Sequence, residues 1–202
     1  MKLRLAIIAL LAVVSTGAAA QSAGTLAPPA SFDHIAEPAA RSAAIFLEAS
    51  KVINHPRCLN CHPSGRVPTQ GDKLVPHAPY INAAESGVGQ PGLSCAGCHQ
   101  SRNVTVGTQG STFRSIPGHA PWALAPASMA WQNRSVTEIC KQLKDPARNG
   151  GKSLAQITEH MHKDALVGWA WHPGEGRTPA PGTQDQFGQL IIAWAALGAA
   201  CP

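Results

Sequence analysis

The sequence predicts a mainly α, loop-rich fold with few or no strands, and three observations carry that expectation. Apolar residues recur at helical spacing in four stretches, over residues 38–54, 135–144, 153–169 and 184–197. The segments between them are dense in turn formers, drawn from 19 glycines and 17 prolines. Aromatic residues make up only 5% of the 202-residue chain. Large side chains to fill a core are therefore scarce, and a bulky apolar ligand would supply what is missing.

Residues 1–20 read as a secretory signal. Lys2 and Arg4 give a positive start, residues 5–14 an apolar run, and Ala18-Ala19-Ala20 a small-residue cleavage site, so the mature chain is expected to begin at Gln21. The run is too short for a good membrane span and no later segment reaches eighteen apolar residues, so no integral membrane segment is expected after cleavage. Export points to a bacterial periplasm or a similar compartment. Residues 21–37 read as a flexible leader. Pro38 suits the first turn of a helix over 38–54, whose apolar residues are Ile45, Phe46, Ala49, Val52 and Ile53. His55-Pro56 ends it. A loop-rich insert follows over 63–94, with Pro63, Pro68, Pro76 and Pro79, and an irregular stretch runs on to about residue 129. Helical spacing returns over 135–144 and again over 153–169, where Ser153 is the cap after Asn149-Gly150-Gly151. Thr183 caps a last helix with Phe187, Leu190, Ile191 and Trp194 on its apolar face. One domain over 38–202 is expected, because each half alone is short for an independent core.

Two Cys-X-X-Cys-His motifs carry the chemistry: Cys58-Leu59-Asn60-Cys61-His62 and, 37 residues on, Cys95-Ala96-Gly97-Cys98-His99. Each is the attachment signature of a c-type haem, with two thiols to bond the porphyrin and a histidine to ligate the iron. Cys58, Cys61, His62, Cys95, Cys98 and His99 are accordingly the expected binding residues of two covalently attached haem c groups, with His62 and His99 as proximal iron ligands. A four-cysteine zinc site is admissible by spacing, and so is a pair of redox dithiols, but both leave the histidine after each pair as coincidence. The formal charge is +5; without Lys2 and Arg4, 14 basic residues face 11 acidic ones. Four haem propionates would bring the loaded protein near neutrality. No basic run suits a phosphate backbone, so nucleic acid is not an expected partner.

The other two cysteines, Cys140 and Cys201, invite a disulfide in an exported protein. It would close a loop of about 60 residues and stabilise the fold by about 2–4 kcal/mol. Two buried free thiols are the alternative. The distal iron ligands come from His34, His55, His77, His119, His160, His162, His172, Met129 and Met161. His77 stands in a proline-flanked loop able to hold it over the first haem or reach the second. Met129 follows a proline-containing loop suited to presenting a thioether, with core packing beside Trp122 and Trp131 as the plainer role. His160 has Ile157 and Asp164 as helical neighbours, with a surface histidine as the plainer role. His77, Met129 and His160 are the expected distal ligands. A His/His iron and a His/Met iron would differ in potential, since the thioether raises it.

Several segments together give a family likeness: Pro56 to Pro63, Leu93 to Gln100, Leu124 to Trp131, Glu138 to Gly151, Leu166 to Trp171 and Gly198 to Pro202. In them the chain resembles the soluble diheme cytochrome c proteins found as electron-accepting subunits beside periplasmic molybdenum hydroxylases, some grouped with isoquinoline 1-oxidoreductase. The resemblance implies a loop-rich diheme cytochrome c fold and electron transfer to or from a redox partner protein, such as a periplasmic dehydrogenase or molybdenum hydroxylase. The positions of His77, Met129 and His160 recur in that pattern, whereas His119 looks peculiar to this chain. Nothing in the likeness implies that this chain binds isoquinoline or molybdenum. Two other classes compete: a small diheme peroxidase-like enzyme with one open haem, and a haem-based gas or redox sensor.

Overall fold

The computed structural model describes residues 24–99, 122–174 and 176–202, with the backbone alone over 105–108 and 111–114. The expected signal segment and His119 lie outside the described residues. The described chain is mainly helical: α1 (Pro38–Ile53), a single turn α2 (Pro56–Leu59), α3 (Val136–Lys144), α4 (Leu154–Lys163), another single turn α5 (Ala165–Gly168) and α6 (Gln184–Ala196). Three two-stranded antiparallel ladders interrupt the loops, β1 (Thr69–Gln70) with β2 (Val75–Pro76), β3 (Gly89–Gln90) with β4 (Leu93–Ser94), and β5 (Thr105–Thr108) with β6 (Ser111–Arg114). Among the described residues no helix is long and apolar enough to cross a membrane.

Helix boundaries follow local chemistry. Pro38 opens α1 as its first residue, where its missing N–H costs nothing. Capping boxes start α3 (Ser135 with Glu138), α4 (Ser153 with Gln156) and α6 (Thr183 with Gln186), each satisfying two backbone donors reciprocally. The helix expected over 153–169 is broken at Asp164. That residue is extended (φ −65°, ψ 130°), and its carboxylate accepts from the amides of Leu166 and Val167 at 2.7 and 3.4 Å. An aspartate that caps a new turn outcompetes one more turn of continuous helix.

Helix α6 is the centre of the core, packed on α1 from one side and α4 from the other. Trp194 is 0% exposed and meets Phe46 of α1 with ring centroids 4.9 Å apart. Its indole N–H donates to the Ala200 carbonyl (2.9 Å), while buried Ser42 donates to the Trp194 carbonyl (2.9 Å) and accepts from the Ala200 amide (3.0 Å). The C-terminal segment is thereby stitched to both helices. The disulfide Cys140–Cys201 ties the same segment to α3. The expected flexible leader is docked from Gly24 onward. Leu26 is buried in the core, the Ala27 amide donates to Glu48 (2.8 Å), and the Gly182 amide donates to the Gly24 carbonyl (2.8 Å).

The α4–α6 contact is close enough to predict a mutational effect. A Cβ added at Gly188 in α6 would overlap the Cβ and ring of His162 in α4. A rotamer change cannot move His162's own Cβ. Alanine gains about 0.8–1.0 kcal/mol of helix propensity over glycine, while overpacking a core costs about 1–3 kcal/mol. Gly188→Ala is therefore expected to destabilise the protein by about 1–2 kcal/mol, read as a lowered urea midpoint. A raised midpoint would contradict the packing described.

Candidate functional site

The first motif begins where α1 stops. His55 is the N-cap of α2 and accepts from the Arg57 amide (3.3 Å), and Pro56 takes the first helical position. Backbone bonds from the Cys61 and His62 amides to the Cys58 carbonyl, both 3.1 Å, continue the turn. Positions i, i+3 and i+4 of one turn share a face, so Cys58, Cys61 and His62 are presented together. The second motif repeats this local structure. Pro91-Gly92 turns β3 into β4 with Gly92 at φ +79°, the signature of a type II turn, and β4 runs directly into Cys95. There the Cys98 and His99 amides donate to the Cys95 carbonyl at 3.2 and 2.8 Å.

The motif histidines have matching surroundings as well. The His62 ring stacks on Trp131 with centroids 3.5 Å apart and planes 5° from parallel; His99 stacks on Trp122 at 4.2 Å and 13°. His62 Nδ1 donates to the Met129 carbonyl (2.7 Å), and the His62 carbonyl accepts from the amides of Trp131 and Gln132. Desolvation pushes His62 down to about 4, so the ring is neutral at pH 7, with Nδ1 protonated and Nε2 left as a lone-pair donor. Desolvation likewise raises Cys58 to about 12 and Cys61 to about 11. Such thiols are the opposite of the acidic pair that thiol–disulfide exchange requires.

A cavity of about 570 Å³ opens on the first motif, within the ~300–1,000 Å³ range of cofactor pockets. Cys58, Cys61 and His62 line one wall with Arg57. Ile157, His160 and Met161, again i, i+3 and i+4, bring one face of α4 to it, and Leu166, Val167 and Trp169 add apolar surface. His160 Nδ1 donates to Asp164 Oδ2 (3.2 Å), the carboxylate that also caps α5, which fixes the ring and leaves Nε2 unengaged by that bond. Metal-binding histidines are commonly oriented by such a carboxylate or carbonyl on the other nitrogen. Met129 also lines the cavity, but its carbonyl is bonded to the rear of His62, which sets its backbone on the side of that histidine.

The structure brings His77 to the second motif. Its ring centroid lies 6.1 Å from that of His99, a separation that accommodates one metal ion at about 2.0–2.1 Å from a nitrogen of each. His77 Nδ1 donates to the Pro79 carbonyl (2.8 Å), and its amide to the Pro68 carbonyl (3.0 Å). Cys95 is buried and its thiol raised, chiefly by desolvation, while Cys98 is exposed. Other histidines are engaged elsewhere: His34 with the Ser31 carbonyl and His162 with Asp185.

The donor set and cavity fit the porphyrin that the motifs imply: two thiols and a tied-off imidazole on one face, apolar walls, and buried donors with no acceptor among the described residues. Those donors are the indole N–H groups of Trp122 and Trp131, Arg57 Nε and Nη1, and Arg66 Nη2. The sequence marked Asp164 only as a helical neighbour of His160 and pointed to no role for Arg57 or Arg66. Arg57 directly precedes Cys58, which is the only signal the sequence held for it. No protein-family model matches the chain, and no curated protein or solved structure matches it either.

Proposed function

We propose that this chain is a periplasmic electron-transfer protein holding two covalently attached haem c groups, acting as a carrier or as the electron-accepting subunit of an oxidoreductase. The observation that carries the reading is the repeated motif turn, with a further histidine brought to each: His160 lining the cavity with His62, and His77 beside His99. When bound, the haems would supply one-electron chemistry at iron that thiols and imidazoles alone lack. Cys58 and Cys61, and Cys95 and Cys98, would hold the groups covalently, and His62 and His99 would each offer a nitrogen to the iron. His62 is kept neutral by burial and aimed by the Met129 carbonyl. His160, oriented by Asp164, would supply a second nitrogen ligand at the first motif, and His77, oriented by the Pro79 carbonyl, one at the second. Met129, whose backbone sits behind His62, acts through its carbonyl and its apolar side chain rather than as the distal thioether. The partner is a redox protein, such as a periplasmic dehydrogenase or molybdenum hydroxylase. The export signal supports the periplasmic location.

An imidazole available to each site favours a carrier over an enzyme or sensor, both of which need an open iron. As isolated, the protein is expected to bind no carbon monoxide in the ferrous state. His160→Ala should admit one carbon monoxide per chain, His77→Ala one at the other site, and Met129→Ala none. Carbon monoxide or cyanide binding by the unaltered protein would favour the peroxidase-like or sensor classes. Opening by Met129→Ala or Met161→Ala, but not by His160→Ala, would reassign the distal ligand.

A further inference from the structure

Among the described residues Arg57 is the only charged side chain in the buried class, at 2% exposure. Its Nη2 donates to Asp72 Oδ1, but Nε and Nη1 have no partner among the described residues. Asp72 cannot take up the rest: its side chain is 39% exposed, and its carboxylate also accepts from the Thr178 amide (3.1 Å) and hydroxyl (2.7 Å). The guanidinium is held against the Trp169 ring, Cζ to centroid 5.9 Å, with Arg177 over the same ring at 6.0 Å. Leaving donors of a buried cation unsatisfied costs more than leaving those of a neutral group. A protein that buries such a cation beside a cavity therefore provides for an acceptor there. Arg57 lines the first cavity, and so does Trp131, whose indole N–H is also buried without a partner. Both are donors, and a carboxylate is the acceptor an arginine favours.

We propose that Arg57 anchors a carboxylate inside the first cavity and that, on the haem reading above, this carboxylate is a propionate of the haem attached to Cys58 and Cys61. Arg57 is then a positioning and tuning residue. It fixes the porphyrin's rotation in its plane and places a positive charge that favours the ferrous state of one iron over the other. Asp72 opposes it with a negative charge from outside.

Spectroelectrochemical titration of the loaded protein tests this, with haem content measured on every variant. Arg57→Gln is expected to lower the midpoint of one haem by about 59 mV, a tenfold change in its ferric-to-ferrous ratio, and leave the other unchanged. Arg57→Lys should retain most of the potential. Asp72→Asn should shift the same haem upward, whereas a merely structural role would move both substitutions in one direction. The carboxylate bands in the redox-induced infrared difference spectrum should change in Arg57→Gln. A fully loaded Arg57→Gln protein with both midpoints unaltered would overturn the proposal while leaving the electron-transfer reading intact; a wild-type chain that carries no haem overturns both. A midpoint of the unaltered protein that moves with added formate or phosphate at constant ionic strength would mean a free anion at Arg57, and would overturn the propionate assignment. Should Arg57→Gln fail to fold, Arg57→Lys and Asp72→Asn decide: a retained midpoint in the first with an upward shift of one haem in the second supports the proposal, and an unshifted midpoint in Asp72→Asn overturns it.

Discussion

Replacing Cys58 and Cys61 together by serine is expected to reduce covalently bound haem from two per chain to one and to remove one of two redox transitions. Both thiols stand on the face of the turn that carries His62, and burial keeps them protonated until they react, so serine removes the bonding atoms without altering charge. The second attachment turn is built from a different ladder, β3 to β4, and closes on its own Cys95 carbonyl. The second motif is therefore expected to keep its group when the first is lost. Haem-stained electrophoresis with a pyridine haemochrome assay reads the change. Undiminished covalent haem in the double-serine variant would contradict the assignment of Cys58 and Cys61.

The second large effect concerns stability. Cys201→Ala is expected to destabilise the protein by about 2–4 kcal/mol, the usual contribution of a bond that closes a loop of about 60 residues. Cys140 and Cys201 are 61 positions apart, and the bond joins α3 to a C-terminal segment that has few other anchors at its very end. Besides the bonds of Ser42 and Trp194 to Ala200, these are the Lys144 ammonium on the Ala199 carbonyl (2.7 Å) and the Thr137 hydroxyl on the Pro202 carbonyl. Cys201 is the better site to change, because Cys140 is 0% exposed and a polar replacement there would add a desolvation cost of its own. A urea midpoint equal to that of the unaltered protein would contradict a structural role for the bridge.

What the sequence made legible was local. Pro38, Ser153 and Thr183 mark helix starts that the structure keeps, because caps act within one turn and need no partner from elsewhere. The pairing of Cys140 with Cys201 was legible from counting in a chain whose first residues read as an export signal. The break at Asp164 was not. Periodicity runs on through it, and the aspartate's preference for capping Leu166 over continuing α4 is decided by the path of the following turn. The leader differs for a related reason: Leu26 stands in a short Ala- and Pro-rich stretch with no helical or strand period, and only its place in the core cluster beside Gly182 buries it.

At the site, the motif cysteines and histidines could be read directly, since their chemistry lies in contiguous residues. Which histidine meets which motif could not. His77 lies 22 residues before His99 and 15 after His62, and its attachment to the Pro68 carbonyl carries it to the second motif. Met129 suited a thioether ligand by loop composition, but the long-range bond from His62 gives its backbone a different task. Arg57 was visible as a residue and invisible as a buried cation, because burial depends on Asp72, Trp169 and Thr178 arriving from distant segments.

The central claim is that two haems are bonded to one chain. Intact-mass measurement of the exported protein after denaturation tests it most directly, because thioether-linked groups survive unfolding and ligated metals do not. The expected mass is that of the chain starting at Gln21, with Cys140–Cys201 oxidised, plus two haem groups. A mass matching the bare chain, or one carrying zinc that is lost on denaturation, would contradict it.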